Sequence, residues 1–350
     1  MNSRLLERTV ARMERLAAAG RSTDDLMDEA GALLQTALPH ESRCWHTTDP
    51  DSLIETGFRA YQMPPPDVEV ARFAYLPDDY NAFGALATGR RRSGVLSEAT
   101  GRRLDRSVRY RELLRPNGIT GELRVALVAG GACWGTVSLF REAPGDFTDE
   151  ECAFAHAVSG ALGRGLRVAG LRDRVAPGSA ARWPGVLVVD RSGAAVSVTP
   201  PARTWLAELG ADPDGPPELP FAVHALAERA RAGQEATARV RTTLGRWLTL
   251  HASTLDGTPA ADQVAVIVQE ATPEAVAPLL YAAFGFTARE REIVDAVIEG
   301  GSTEEIAARL FISPLTVQKH LSSIFAKTGV RSRRRLAGLL TGSANTRNLA

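Results

Sequence analysis

Lysine, cysteine and long apolar runs are scarce in this 350-residue sequence. Among its 41 lysine and arginine residues, only Lys319 and Lys327 are lysines. The cysteines Cys44, Cys133 and Cys152 are odd in number and form no C-x-x-C pair, so we predict neither a disulfide framework nor a zinc knot. No segment approaches the roughly 18 to 20 apolar residues of a membrane span, and the N-terminus lacks a secretory signal. We therefore expect a cytoplasmic protein without a membrane partner.

The motifs that mark common enzyme classes are absent as well. The sequence contains no H-E-x-x-H zinc pattern, no G-x-S-x-G nucleophile turn and no G-x-x-x-x-G-K-[ST] phosphate loop. Its histidines and acidic residues are scattered, and no pair is close enough in sequence to suggest acid-base chemistry. We predict that the protein is not an enzyme and that it has no catalytic residue, no metal site and no cofactor.

The strongest pattern lies at residues 287–340, which we predict to form four short helices. Thr287 with Glu290, and Ser302 with Glu305, have the spacing of the reciprocal capping box that marks a helix start. A third start is Ser313, which precedes a proline at the first helical position. Apolar residues recur every three to four positions between these starts, so each helix has one face for a small core.

The second and third of these helices are joined only by Phe311 and Ile312, which predicts a steeply crossed helix-turn-helix with the third helix presented outward. Hydrogen-bonding side chains of the kind that read DNA occupy the outer side of that helix. They are Thr316, Gln318, Lys319, Ser322 and Ser323. From residue 313 to 340 there is no acidic residue, and this is typical of a phosphate-binding face. The basic residues there are Lys319, Lys327, Arg331, Arg333, Arg334 and Arg335.

This segment resembles the C-terminal DNA-binding domain of the LuxR family of bacterial transcription regulators. The matching residues are 287–292 (TARERE), 305–307 (EIA), 310–313 (LFIS), Thr316, Val317, His320, Lys327 and 329–333 (GVRSR). The resemblance implies that the third helix enters the major groove, and that the fourth, with Leu336, Leu339 and Leu340, pairs two protomers on a two-fold-symmetric site. One departure is Gln318, where the family usually has lysine. Glutamine suits adenine, which allows a different preferred site.

The predicted DNA-binding residues share a place on the third helix or at the start of the fourth. They are Thr316, Gln318, Lys319, Ser322, Ser323, Lys327, Arg331, Arg333 and Arg334. We assign the three arginines to phosphates rather than to bases.

Residues 1–20 are predicted to form an N-terminal helix, and residues 21–175 a mixed α/β domain. Its expected elements are a helix at 23–38, extended segments at 43–47, 53–60 and 70–76, a helix at 97–114, a hairpin at 123–140 and a helix ending near 175. This order, with the hairpin followed by Phe147-Thr-Asp-Glu-Glu, resembles a GAF domain, a small-molecule-sensing and dimerising fold. The resemblance specifies no ligand.

A linker at 176–184 precedes residues 185–271, whose pattern is strand, strand, helix, helix, strand and strand, with one long strand at 238–253 bent at Gly245. That order resembles a PAS domain, again a sensor fold. Some PAS domains hold haem through a helical histidine, but the neighbours of His224 suit an ordinary amphipathic helix. A second linker at 272–286, the helix-turn-helix domain at 287–341 and a disordered tail at 342–350 complete the chain.

We thus expect an α+β multidomain protein, in which GAF-like and PAS-like mixed α/β sensor domains are followed by an all-α four-helix helix-turn-helix domain. The predicted function is a dimeric, sequence-specific transcription regulator on an inverted-repeat operator, with double-stranded DNA, a small-molecule effector and, for an activator, RNA polymerase as partners. A receiver domain would need a lysine that follows its phosphorylatable aspartate. Phosphorelay control through such a domain is disfavoured because no lysine precedes Lys319. The alternatives are a ligand-binding scaffold that dimerises without reading DNA and a quorum-signal-responsive regulator.

Overall fold

The computed structural model describes residues 3–65, 67–75, 80–172, 183–211, 219–257 and 262–341. They belong to two compact units, of which the first ends at Glu270 and the second begins at Ala271. Most of the predicted linker at 176–184 and the whole predicted tail at 342–350 lie outside the described residues. Among the residues described, no helix combines the length and the apolar character needed to cross a bilayer.

The first unit contains two antiparallel sheets with accompanying helices. Its helices are α1 (Ser3–Ala18), α2 (Thr23–Ala37), α3 (Val68–Ala74), α4 (Phe83–Thr88), α5 (Leu96–Ala99), α6 (Asp149–Arg172), α7 (Pro200–Glu208) and α8 (Phe221–Arg231). Its strands are β1 (Ser42–Thr48), β2 (Glu55–Tyr61), β3 (Ser93–Val95), β4 (Ile119–Ala129), β5 (Ala132–Glu142), β6 (Gly185–Val189), β7 (Ala195–Val198), β8 (Thr237–Arg241), β9 (Trp247–Thr254) and β10 (Val264–Glu270).

The first sheet has the strand order β2-β1-β5-β4-β3. The predicted hairpin is confirmed as β4 and β5, which turn at Gly130 and Gly131, and both glycines have the positive φ that favours this residue. The long helix α6 packs along β4 and against α1 and α2. It begins with a capping box, since the Glu151 amide donates to Thr148 Oγ1 and the Thr148 amide donates to Glu151 Oε2.

Two predictions for this first sheet are wrong. Helix α3 occupies most of the segment 70–76 predicted as extended, because Asp67 Oδ1 caps the helix by accepting from the amides of Glu69 and Val70. The predicted helix at 97–114 is instead α5 followed by short 3-10 and π turns. Gly101 and Arg102 both adopt positive φ there, which ends any continuous α-helix.

The second sheet has the order β7-β6-β10-β9-β8, with α7 and α8 supplying the helices predicted between its strand pairs. The sheet and its helices share one hydrophobic core, which includes the buried residues Leu187, Trp205, Leu226 and Val266. The single bent strand predicted at 238–253 is in fact the hairpin β8–β9, because Gly245 turns the chain with φ of 81°. Helix α8 also packs against α3 and β2 of the first sheet.

A buried ion pair joins the two sheets. The guanidinium of Arg239 on β8 donates to both carboxylate oxygens of Asp49, at 2.8 Å from Nε and 2.6 Å from Nη2. The backbone amide of Arg239 donates to the same carboxylate at 2.7 Å, and Asp51 accepts a further bond from Nη2. Because Asp49 is 2% exposed and Arg239 8% exposed, this pair is shielded from water.

The second unit is helical. Its helices are α9 (Pro273–Phe284), α10 (Ala288–Ile298), α11 (Thr303–Arg309), α12 (Pro314–Thr328) and α13 (Arg333–Thr341). The segment 272–286, predicted as a linker, therefore contains α9, which packs against α13. Tyr281 and Phe286 are buried in the same core as α10 to α13, and the Tyr281 hydroxyl donates to Asp295. Thr272 caps α9, and this capping signal before a proline was overlooked in the sequence.

Candidate nucleic-acid interface

The three predicted helix starts of the second unit are confirmed. Glu290 N donates to Thr287 Oγ1 at 3.2 Å and Thr287 N donates to Glu290 Oε2 at 2.8 Å. Ser302 and Glu305 form the same reciprocal pair. Ser313 Oγ accepts from the amide at the third position of α12, which a proline opens. These caps satisfy amides that a helix start would otherwise leave unpaired, so each helix begins at a defined residue.

Helices α11 and α12 form the predicted helix-turn-helix and pack against each other. In the turn between them Phe311 has φ of 55° and a side chain that is 95% exposed. The inner face of α12 is fixed by burial of Val317, Leu321 and Ile324. The opposite face is accessible, and it carries Leu315, Gln318, Lys319 and Ser322, which we call the outer stripe.

Besides Lys327, whose amino group is bound within the domain, five of the predicted DNA-binding residues are exposed: Gln318, Lys319, Ser322, Arg331 and Arg334. Ser322 Oγ donates to the Gln318 carbonyl, an ordinary bond within the helix. The side chains of Gln318, Lys319, Arg331 and Arg334 have no hydrogen-bond partner within the ranges that the structure describes. Their donors are therefore free to bind phosphates or base edges.

Two other predicted residues, Ser323 and Lys327, bind inside the domain. Ser323 Oγ donates to Glu290 Oε1 at 2.7 Å, and Lys327 Nζ donates to Glu290 Oε2 at 2.6 Å and to the Gly285 carbonyl at 2.9 Å. Burial alone would raise the pKa of Glu290, but the hydrogen bonds from Lys327, the Thr287 amide and Ser323 lower it to about 2. The carboxylate of Glu290 thus holds α12 against the first turn of α10.

Thr316 and Arg333 also have partners within the domain. Thr316 is half-buried and its Oγ1 lies 2.8 Å from Ser313 Oγ, within the cap of α12. Arg333 donates to the Gly301 carbonyl at 2.9 Å and to Thr303 Oγ1 at 2.6 Å. It therefore ties the start of α13 to the start of α11.

The residues predicted to pair two protomers differ in accessibility. Leu336 is 0% exposed and Leu340 2% exposed, and both pack in the core that α13 shares with the other helices. Leu339 is partly buried against this core, and Ala337 and Gly338 are partly exposed. A second protomer could reach α13 through these positions or through the exposed Arg334 and Arg335, whereas Leu336 and Leu340 are core residues in this structure.

Leu315 and Phe311 were missed by the sequence reasoning, which considered only hydrogen-bonding side chains on α12. Leu315 is 76% exposed and precedes Gln318 by three residues and Lys319 by four. That helical spacing places it on the outer stripe, and it could have been recognised from the sequence. The exposure of Phe311 could not, because an apolar residue beside a helix is usually buried.

One constellation in the first unit has the order of a nucleophilic triad. Cys44 Sγ lies 3.2 Å from His46 Nε2, and His46 Nδ1 lies 3.8 Å from Glu55 Oε2. Burial raises the pKa of the Cys44 thiol, with a further contribution from Glu55. Burial also lowers the pKa of His46, although Glu55 opposes this. The neutral thiol is a poor nucleophile, so the geometry gives no support to an enzymatic reading. Within the described ranges, no group of three or more potential ligands is arranged to hold a metal ion.

Comparison with protein families identifies the helical unit. Residues 285–340 match the model of bacterial regulatory proteins, luxR family. This chain carries a luxR-family DNA-binding domain. A GAF domain model matches residues 4–166, a range that includes α1. The chain therefore combines a segment that matches the GAF domain model with a C-terminal segment that matches the luxR-family model.

The luxR-family domain is similar to segments of named regulators. Over 47 residues it is 53% identical to an HTH-type transcriptional regulator of Mycobacterium bovis, covering 13% of this chain and 5% of that protein. It is 45% identical over 47 residues to the spore germination protein GerE of Bacillus subtilis, covering 13% of this chain and 64% of that protein. The chain therefore spans a small part of the first relative and less than two thirds of the second.

Among solved structures, the GAF domain from a phosphoenolpyruvate-protein phosphotransferase of Coxiella burnetii aligns with 47% of this chain and 93% of its own. The identity is 14% and the TM-score is 0.32.

Proposed function

We propose that this protein is a sequence-specific transcription regulator that binds an inverted-repeat operator as a dimer. The observation that carries the proposal is the outer stripe of α12, where Gln318, Lys319 and Ser322 are exposed, as are Arg331 and Arg334 farther along the chain. No acidic residue interrupts the sequence from 313 to 340, so this surface is electrostatically complementary to DNA.

Each exposed side chain has a distinct proposed role. Gln318 is suited to a bidentate contact with adenine, and Lys319 to guanine or to a phosphate. Arg331 and Arg334, near the start of α13, contact phosphates and set the register of the domain on the duplex. Ser322 bonds to either a base or the backbone.

The remaining predicted residues support this surface from within the domain. Ser323 and Lys327 hold α12 on α10 through Glu290, Arg333 fixes the start of α13, and Thr316 belongs to the cap of α12. We propose that these residues position the interface, since their polar atoms already have partners.

Dimerisation follows from the proposed inverted repeat, because two half-sites related by a two-fold axis require two copies of the reading helix. On α13 the partly exposed Leu339 is available for such a contact, whereas Leu336 and Leu340 are not. RNA polymerase is a further partner if the regulator activates transcription.

We further propose that the sensor part controls this output. The second sheet, with its order β7-β6-β10-β9-β8 and two helices, supports a PAS-like assignment beside the GAF domain. A small-molecule effector would act by binding with different affinity to the states that favour and disfavour DNA binding. If the full-length protein and residues 271–350 bind the same operator equally under all effectors, this control does not exist.

The dimer is tested by titrating full-length protein into two labelled duplexes of equal length, one with the complete inverted repeat and one with a single half-site. Native mass spectrometry then counts the protomers on each. We expect two protomers on the complete site and weaker binding to the half-site. A single protomer at saturation on the complete site would overturn the dimer, and indifference to sequence would favour the scaffold alternative.

A further inference from the structure

Two large apolar side chains of the second unit are almost fully accessible. Phe311 is 95% exposed and Leu315 is 76% exposed. They are the only large apolar residues with exposed side chains in the described part of that unit, residues 271–341. Single exposed apolar residues are common on protein surfaces, so exposure alone indicates nothing. Their place in the fold is what distinguishes them, since they flank the start of α12.

Leu315 is held in a defined direction. It is the second residue of α12, directly after Pro314 and two residues after the capping Ser313. Proline fixes its own φ, and the cap fixes the first turn, so the backbone that presents Leu315 is rigid. Buried Val317 and Leu321 then set the rotation of the helix about its axis. Leu315 therefore lies on the outer stripe with Gln318, Lys319 and Ser322.

We propose that Leu315 reads the C5-methyl group of a thymine in each half-site of the operator. The inference rests on the proposed DNA binding by α12. The thymine methyl is the apolar group on the major-groove edges of the base pairs, and an apolar side chain recognises it by contact. In a helix-turn-helix, the N-terminal residues of the second helix approach the base edges, which is where Leu315 is placed.

Charge selects DNA over a protein as the occupant of this site. Lys319 lies one turn beyond Leu315, Arg331 and Arg334 are exposed farther along the same segment, and no acidic residue occurs between 313 and 340. An apolar side chain on such a basic, acid-free segment matches a surface that carries phosphates around a methyl group.

The neighbouring Gln318 further defines the base sequence that we expect in each half-site of the operator. Side chains three residues apart on a helix are about 5 to 6 Å apart, and successive base pairs rise by about 3.4 Å. Leu315 and Gln318 therefore reach base pairs that are adjacent or one step apart. Because Gln318 suits adenine and Leu315 suits thymine, the two residues specify a short A·T-containing element in each half-site.

The test replaces thymine by deoxyuridine, which lacks the C5-methyl group and keeps the same hydrogen-bonding edge. The duplex is the motif that full-length protein selects from random DNA, and each thymine is replaced symmetrically in both half-sites. For the wild type we expect one position where affinity falls about fourfold per half-site, roughly the effect of one buried methyl group. The Leu315→Ala variant should bind the unmodified duplex more weakly and lose less than twofold at that position.

Leu244→Ala is the matched control, because Leu244 is an exposed leucine, 46% accessible, in the turn between β8 and β9. It should retain the full sensitivity to deoxyuridine. If the wild type selects a motif but tolerates every deoxyuridine replacement, or if Leu315→Ala keeps the sensitivity to deoxyuridine, the proposed thymine contact is refuted. The proposed regulator function is not affected by either result. If Leu315→Ala binds DNA as the wild type does, the exposed leucine serves another partner. Failure of the wild type to select any motif removes the proposed function and this contact together.

Discussion

Lys327 Nζ lies 2.6 Å from Glu290 Oε2 and joins the last turns of α12 to the first turn of α10. Glu290 is 3% exposed and also accepts from Ser323 and from the Thr287 amide. One carboxylate thus closes a capping box and anchors the helix proposed to read DNA. The orientation of the outer stripe therefore depends on a residue that does not lie on it.

The first prediction concerns pH. The folded pKa of Glu290 is about 2, below its ordinary value of 4.5, so its contribution to stability is present above pH 4.5 and is lost as pH falls toward 2. The full contribution is about 3 kcal/mol. We expect hydrogen exchange in α10 and α12 of the full-length protein, corrected for intrinsic rates, to show a loss of about 1 kcal/mol between pH 7 and pH 3.5.

The Glu290→Gln variant should be less stable at pH 7 and should show little of this pH dependence. Glu305→Gln is the matched control, since Glu305 forms the other capping box but is exposed. It should keep the pH dependence of α10 and α12. An unchanged pH profile in Glu290→Gln would show that other groups cause the effect.

The second prediction distinguishes side chains proposed to contact DNA from a side chain proposed to position α12. Lys319→Ala and Arg331→Ala should each reduce the slope of log affinity against log salt by about 1 without changing the stability of the domain. Lys327→Ala should instead destabilise α12, because it leaves the buried Glu290 without its ion pair. The measurements are fluorescence anisotropy on the selected operator at several salt concentrations and hydrogen exchange of α12. A normal exchange rate in Lys327→Ala would contradict the positioning role.

The third prediction concerns backbone strain in the helix-turn-helix. Phe311 adopts φ of 55°, a conformation that costs a side-chain-bearing residue on the order of 1 kcal/mol relative to glycine. Its side chain is almost fully exposed, so its removal loses little burial. Phe311→Gly should be more stable than Phe311→Ala by about 1 kcal/mol, as measured by hydrogen exchange of α11 and α12. Equal stability of the two variants would show that the turn is not strained.

The fourth prediction concerns the buried pair Asp49 and Arg239. Arg239→Met leaves the buried Asp49 carboxylate without its ion pair and should cost about 3 to 5 kcal/mol. Asp49→Ala should cost less, because Asp51 still pairs with the Arg239 guanidinium. The double variant should be more stable than the sum of the two losses predicts. Unfolding in urea is followed by tryptophan fluorescence, which reports on the first unit because all five tryptophans precede residue 271.

Arg191→Ala is the control for this cycle, since Arg191 pairs with Asp262 in an exposed contact. It should cost less than about 1 kcal/mol. Strict additivity of the Asp49 and Arg239 losses would contradict a direct coupling between the two sheets.

The sequence predicts local features well and distant partners poorly. The capping boxes at Thr287 and Ser302 are confirmed, and they were predictable because each joins residues three positions apart. By contrast, Ser323 and Lys327 bind Glu290 across 33 and 37 residues, and no local sequence pattern specifies such long-range contacts. The sequence therefore assigns Ser323 to DNA from its place on the outer side of the helix, and Lys327 from its charge and its match to the family.

The family resemblance likewise does not show which surfaces pack on α13. It assigns Leu336, Leu339 and Leu340 to a dimer contact, but Leu336 and Leu340 are buried because α9 and α10 pack against α13. Helix α9 was itself predicted as a linker, so this covering surface was absent from the prediction. In the first unit, the segment 70–76 is predicted as extended, but the Asp67 cap initiates a helix at Val68.

The most direct test of the central claim is selection of genomic DNA fragments by purified full-length protein at near-physiological salt, beside a Lys319→Ala, Arg331→Ala double variant. Recovery of an inverted-repeat motif by the wild type alone is the predicted result, because these two exposed side chains belong to the proposed reading surface. Recovery of the same motif with equal enrichment by the double variant, or equal enrichment of every fragment by the wild type, would contradict the account.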